Sequence, residues 1–339
     1  MSNRQQKRKD FIERVGWGDA QSVVVAGDAS NRSYDRLTKF DGQTAILMNA
    51  PPDKGEDVRP FIKILKLLRA GGLEAPNLLG TDKTHGFLLL EDLGDNLFAR
   101  ICATHPALEE TLYKTAIDVL VELHRTPAPT DIAPYDLAAY LRETDLVTQW
   151  YLPNITGQPV NQTVAETYQA EITAACAAIQ KTTPVLVLRD YHAENLLWLP
   201  ERDGLKKVGL LDFQDALAGH PAYDLVSLLE DARRDTTRKL QNSMMNYFID
   251  KSGADKKAFN YAYAAIGAQR NLKIIGIFAR LCVRDGKPHY IDMIPRVWAH
   301  LQHDLSHPKL TGLKNWVDEN LPTPTSETLA RIKEAMNAP

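Results

Sequence analysis

The apolar positions change period along the chain, and the change divides it. Up to about residue 90 they come in short β-branched or alternating runs, which predict strands over 22–26, 32–38, 44–48, 78–80 and 87–90. Asp41-Gly42 is the hairpin turn of the middle pair, and residues 83–86 turn the last pair. One helix interrupts this part: Val58, Phe61, Ile62, Leu65 and Leu68 recur at helical spacing over 57–70, and Gly71-Gly72 stops it. Ahead of the strands, Phe11, Ile12 and Val15 mark a short amphipathic helix. From Asn96 onward the period is helical, with helices expected over 107–125, 136–150, 161–180, 222–233, 237–251, 255–283, 290–304 and 326–337. The expectation is an α+β fold with a small β-rich N-lobe, 1–92, and a large mainly helical C-lobe, 93–339.

A strand-rich insert, VLVLRDYHAENLLWLPERDGLKKVGLLDFQD over 185–215, breaks the helical pattern. Four apolar residues deliver Asp190, and Asn195 follows five residues later. A hairpin turned by Arg202-Asp203-Gly204 then ends at Leu210-Leu211-Asp212. This is the order of parts that phosphoryl transfer requires: a carboxylate to orient an acceptor hydroxyl, an amide oxygen for a metal, and a second carboxylate to hold Mg²⁺ on nucleotide phosphates. A turn-capping Asp accounts for any one of these residues, but not for all three in this order. Asp215 reads either as a metal or substrate group or as a helix cap, and Asp224 as an internal partner of the catalytic loop's backbone.

Two further segments fit nucleotide binding. Small residues between the first two strands, over 26–33, let backbone N–H groups approach phosphates, although a plain hairpin turn needs the same residues. Glu91-Asp92-Leu93-Gly94 follows an apolar strand, where a connecting backbone would meet adenine; an ordinary strand-to-helix turn is the alternative.

Composition narrows the partners. The chain of 339 residues is 44% apolar and 24% charged, as soluble globular proteins are. A net charge of −3 gives no electrostatic footprint for nucleic acid. Three scattered Cys fit reduced thiols in a cytoplasmic protein. The basic N-terminus has no apolar stretch of a secretory signal, and no run approaches a membrane span.

The segments GDASNRSYDRL, LRDYHAENLLW and GLLDFQDALAGHPAYDLVSLLEDARRD resemble the aminoglycoside-phosphotransferase-like kinases. AILMNAPP, FLLLEDLGDNLF, AQRNLKIIGIFARL and RDGKPHYIDMIPRVW narrow the resemblance to bacterial anomeric N-acetylmuramate/N-acetylglucosamine kinases. It implies a protein-kinase-like bilobal fold and ATP-dependent phosphorylation of a sugar's C1 hydroxyl, within cell-wall recycling. Carried over, Asp190 is the base, Asn195 and Asp212 ligate Mg²⁺, and Ser30, Asn31 and Arg32 cover the phosphates; Glu91, Asp92 and Leu93 are set against adenine by their order along the chain. His192, Glu194, Asp215 and Trp150 are the acceptor candidates. The expected partners are ATP and a small amino sugar, with no nucleic acid or membrane, and the protein is expected to be a monomer. Two positions depart from the wider kinase pattern: Met48 stands where a phosphate-binding Lys is usual, leaving Arg32, Arg36 and Lys39 as candidate cations, and Arg189 precedes the base where related antibiotic kinases have His. The alternatives are a kinase for an aminoglycoside, choline or homoserine, or a nucleotide-binding module without catalysis.

Overall fold

The computed structural model describes residues 3–27 and 31–336, so Ser30 lies outside the described residues. The chain forms two compact units that are discontinuous in sequence: 1–119 with 193–216, and 120–192 with 217–339.

The first unit is built on a five-stranded antiparallel sheet. Helix α1 (Asn3–Arg14) precedes β1 (Gln21–Gly27), β2 (Ser33–Thr38) and β3 (Thr44–Asn49). Helix α2 (Arg59–Ala70) leads to β4 (Leu78–Asp82) and β5 (Phe87–Glu91), and the strand order is β1-β2-β3-β5-β4. The pleat sends Ala45 and Leu47 of β3 and Phe87 and Leu89 of β5 to one face. There they form a buried cluster with Phe11 and Ile12 of α1, Trp17 and Leu37. Phe11 stacks on Phe87 at 5.6 Å, so the N-terminal helix is part of this core. Each fully buried side chain of this size contributes about 1.5–3 kcal/mol.

Helix α3 (Phe98–Thr104) follows, and the boundary between the units falls within α4 (Glu109–Leu123). The second unit contains α5 (Leu137–Leu146), continued by a π-helical turn over Val147–Tyr151, then α6 (Leu152–Thr156), α7 (Gln162–Cys176) and β6 (Val185–Val187). The hairpin β7 (Leu196–Trp198) and β8 (Val208–Leu210) returns to the first unit. The rest of the second unit is β9 (Leu217–Gly219), α8 (Ala222–Leu229), α9 (Arg238–Ser252), α10 (Lys256–Val283), α11 (Ile294–Asp304), α12 (Thr311–Asn320) and α13 (Ser326–Ala335).

Helix starts follow local chemistry. Asp136, Asn161, Thr237, Asp255 and Thr325 each accept a backbone N–H from the first turn of the helix they open, worth about 1 kcal/mol apiece. The expected helix over 290–304 is shorter, because Pro295 suits only a first turn; α11 begins at Ile294, after a 3₁₀ segment over Pro288–Met293. The helix expected over 222–233 ends at Leu229, and α3 and α12, both short, were not among the expected helices although Phe98, Ile101 and Cys102, and Leu313, Trp316 and Val317, stand at helical spacing. The division expected after residue 92 also differs from the compact units. Leu210 N–H donates to the Glu74 carbonyl at 2.8 Å and Trp198 N–H to that of Asn96 at 2.7 Å, which ties the β7–β8 hairpin to the N-terminal residues. No helix among the described residues is long and apolar enough to cross a membrane.

Candidate active site

In the first unit, register brings Asn195 and Asp212 together. Leu196 pairs with Leu210, so the next step along the ladder sets Asn195 against Leu211, whose N–H donates to the Asn195 carbonyl at 3.0 Å. Asp212 comes next, and the Asn195 amide nitrogen lies 3.5 Å from its Oδ2. The buried Gln214 donates to Asp212 Oδ1 at 2.7 Å and reaches Asp215 Oδ2 at 3.3 Å. Asp212 has φ 55°, in the left-handed region that non-glycine residues seldom occupy. Phe213 behind it is fully buried and packs on Phe61 of α2 at 4.7 Å, which pins the turn. Glu194 and Asp215 are exposed.

The segments expected to meet nucleotide lie in the same unit. Glu91 accepts from Asn77 N–H at 3.0 Å and from Arg202 at 2.7 Å. Asp92 and Asp95 share Arg36, at 2.6 and 2.8 Å. The buried Leu93 packs with Leu197 and Leu199. Arg32 pairs with Glu56 at 2.7 Å, and Asn31 donates its N–H to the same carboxylate at 3.0 Å and its amide to the Lys54 carbonyl at 3.1 Å. Lys39 lies over the Trp17 ring at 4.4 Å, and Met48 is buried in β3. The three candidate cations of this lobe are therefore engaged with protein groups rather than standing as solvated strand charges. Two recesses of this unit, about 550 Å³ around Trp17, Lys39 and Phe40 and about 360 Å³ around Pro52, Glu56 and Lys83, contain none of Asp190, Asn195 and Asp212. Donor chemistry, not concavity, marks the candidate site.

In the second unit, β6 pairs with β9 and delivers Arg189 and Asp190. Arg189 has φ 72°, and together with Asp212 it is one of two non-glycine residues at positive φ among those described. Such a conformation costs about 1–2 kcal/mol and persists only where surroundings enforce it. The enforcement is visible. Asp224, in the first turn of α8, accepts the N–H of Leu188 at 2.7 Å and of Arg189 at 2.8 Å. Ser227, one turn on, donates to the Arg189 carbonyl at 3.0 Å and accepts from Arg270 of α10 at 2.8 Å. The Arg189 guanidinium bonds Glu143 of α5. Burial pushes the Asp224 carboxyl up to about 7, against the pull of its two backbone donors.

Asp190 is exposed at this turn. Desolvation by its neighbours pushes its carboxyl up, but the positive charges of Lys273, Arg189 and Arg270 outweigh that and hold it below the ordinary Asp range, so it is ionised at neutral pH. His192 is buried, lies 3.3 Å from Arg233, and burial pushes its imidazole down to about 4, so it is neutral. Trp150, on the π-helical turn, is half-buried, and its carbonyl accepts from Asn154 at 2.6 Å. Of the expected site residues, the first unit thus holds Asn31, Arg32, Glu91, Asp92, Leu93, Glu194, Asn195, Asp212 and Asp215, and the second holds Asp190, His192 and Trp150. Sequence reasoning missed Ser227, Lys273, Tyr135 and Tyr223. The available signal was Arg270-Asn271-Leu272-Lys273, polar residues inside a helix buried nearly all round.

A five-stranded antiparallel sheet, a helical remainder, and carboxylates at two held turns are the parts of a protein-kinase-like phosphotransferase. Solved structures share this fold: an ADP-bound aminoglycoside phosphotransferase, APH(2'')-Ib, with TM-score 0.60 at 16% identity over 89% of this chain and 97% of its own, and a choline/ethanolamine kinase family protein from Mesorhizobium loti, with TM-score 0.60 at 12% identity over 97% and 99%. Residues 23–259 match the family model described as the phosphotransferase enzyme family, APH, and the chain belongs to that family. Its relatives include an N-acetylmuramate/N-acetylglucosamine kinase of Caulobacter vibrioides, 36% identical over 96% of this chain and 98% of the relative. One of Pseudomonas aeruginosa with the same name is 33% identical over 85% of each.

Proposed function

We propose that the protein is an ATP-dependent kinase that phosphorylates the anomeric C1 hydroxyl of N-acetylmuramate or N-acetylglucosamine, in the recycling of cell-wall material in the cytoplasm. The observation that carries the substrate is 36% identity sustained over nearly the whole of a kinase named for those two sugars. In the reaction the C1 oxygen bonds to the γ-phosphorus of ATP, the bond from that phosphorus to the bridging oxygen breaks, and ADP leaves with the electron pair. Asp190, ionised and exposed, accepts a hydrogen bond from the C1 hydroxyl, orients its lone pair and takes its proton as the bond forms. The carboxylate and amide of Asp212 and Asn195 are hard oxygen donors of the kind that Mg²⁺ takes, few enough to leave room for phosphate oxygens. Bound there, Mg²⁺ would neutralise phosphate charge. Gln214 keeps the Asp212 carboxylate oriented. With the side chains of Glu91 and Asp92 committed to Arg202 and Arg36, the backbone of 91–93 is what this segment offers to adenine. His192, Glu194, Asp215 and Trp150 are assigned to the sugar, His192 through its link to Arg233.

The test is ADP release across N-acetylmuramate, N-acetylglucosamine, glucose and an aminoglycoside, with product NMR to locate the phosphate. The expected result is turnover on the acetylated amino sugars with phosphate at C1. Exclusive turnover of the aminoglycoside, or phosphate at another hydroxyl, refutes the reading. Asp190→Asn should lower kcat by about 10²–10⁴-fold while ATP still binds.

A further inference from the structure

Glu143 is not needed by the reaction as written, yet it is the most heavily committed carboxylate near the catalytic loop. One oxygen accepts from the Arg189 guanidinium. The other accepts from Lys273 Nζ at 3.1 Å and from the Tyr135 hydroxyl. Tyr135 in turn meets the Tyr223 hydroxyl at 3.1 Å, and Lys273 reaches Tyr223 at the same distance. Burial raises the Glu143 carboxyl, but Lys273, Arg189 and the Tyr135 hydroxyl together hold it below the usual Glu range, so the bridge is ionic at neutral pH. Removing one partner of such a desolvated network leaves the remaining charges uncompensated.

The helices are set for this contact. A Cβ at Gly276 would collide with the Leu146 carbonyl carbon and the Val147 nitrogen, so α10 crosses the end of α5 with almost no side chain between them. Lys273 and Glu143 stand three residues back from Gly276 and Leu146, on the same helical faces. The crossing that a glycine permits therefore delivers the lysine to the glutamate. Just beyond it the helix changes to π winding, a feature that recurs at functional sites.

We propose that Glu143, by bridging Arg189 to Lys273, is a positioning residue that holds Arg189 in its left-handed conformation and so fixes the direction of Asp190. This rests on Asp190 being the catalytic base. Arg189 is restrained by Asp224 and Ser227 at its backbone and by Glu143 at its side chain, and Asp190 is the next residue along this held backbone. The charged and titratable groups that act on Asp190 are Lys273 and Arg270 from α10, Arg189 and the neutral His192 from its own loop, and Asp224 from α8. Lys273 is the largest of the cationic influences, so it also keeps the base ionised.

Four variants decide the matter in one steady-state assay: Glu143→Gln, Lys273→Met, Lys273→Arg and Asp190→Asn. Glu143→Gln should lower kcat by about 100-fold, the effect of an ångström's misplacement, with KM for both substrates little changed. Lys273→Met should lower kcat and move the acid limb of its pH profile upward, because the base loses the cation that favours its ionised form. Lys273→Arg should restore both. A folded Glu143→Gln enzyme with near-parental kcat overturns the proposal, and so does an acid limb unmoved in Lys273→Met. Should Glu143→Gln fail to fold, the comparison of Lys273→Met with Lys273→Arg decides by the same criteria. Asp190→Asn separates the two ideas: if it retains turnover, the base assignment fails; if it is inactive while Glu143→Gln is not, only the positioning role fails.

Discussion

Asp212 and Arg189 occupy backbone that L-residues avoid, and each does so at a turn carrying a carboxylate of the proposed site. At φ 55° the conformation of Asp212 is one that Asn also tolerates. Asp212→Asn therefore changes charge with little change of backbone preference. It should leave the melting temperature within a few degrees while turnover falls by about 10²-fold or more, through lost charge complementarity to metal and phosphate; a thermal melt beside an ADP-release assay measures both. That Asn195 and Asp212 meet was legible from their order, because the intervening hairpin fixes their register. Asp224 was legible too: an Asp at the start of a helix, just after the catalytic insert, has backbone N–H groups as its natural partners, and it meets Leu188 and Arg189. The phosphate cation was not legible. Arg32, Arg36 and Lys39 look alike as strand charges, and only the folded sheet shows Arg36 gripping Asp92 and Asp95, with Arg32 on Glu56.

Elements were read best where the period was long or the turn chemistry strong. The strands β2, β3 and β5 and the helix α2 follow alternation or helical spacing, and each falls within two residues of its expected bounds. The helix expected over 136–150 instead changes from α to π winding after Leu146, where the backbone of α10 presses against it. Periodicity cannot register that contact, since the glycine responsible belongs to another helix. Gly276→Ala tests the packing: overfilling a close crossing costs about 1–3 kcal/mol, which a urea titration would detect. If α10 shifts to accommodate the methyl group, Lys273 moves from Glu143, and turnover should fall further than the lost stability explains.

Across the molecule, buried imidazoles set the response to acid. Burial, with the charge of His220 added, pushes His124 down to about 3, and burial pushes His192 and His220 down to about 4. An unfolded His titrates near 6.5, so between about 6.5 and 4 the unfolded chain binds more protons and each group's contribution to stability is lost as pH falls. Asp224, raised to about 7, and Asp304, raised well above its ordinary range, act in the opposite sense. A difference isolates one term. His124 packs edge-on against Phe248 at 6.2 Å, so His124→Phe keeps an aromatic there and removes the titration. Relative to the parent, this variant should gain at most ~1.4 kcal/mol per pH unit on acidification from 6.5, read from urea midpoints at pH 7 and pH 5. A gap that stays constant with pH would show that His124 carries no proton-linked penalty.

The sequence by itself determined the order of parts: a sheet-forming N-terminal segment, a helical remainder, and an insert spacing Asp190, Asn195 and Asp212. Periodicity, turn residues and capping side chains act over a few residues, and that range suffices for those features. Only the tertiary structure decided which backbone is held left-handed, that Glu143 joins Arg189 across 46 residues of sequence, and that Lys273 from a distant helix completes the bridge. Such pairs exist because a close helix crossing excludes water and leaves each buried charge to find its partner within the protein, and no local pattern encodes which partner will arrive.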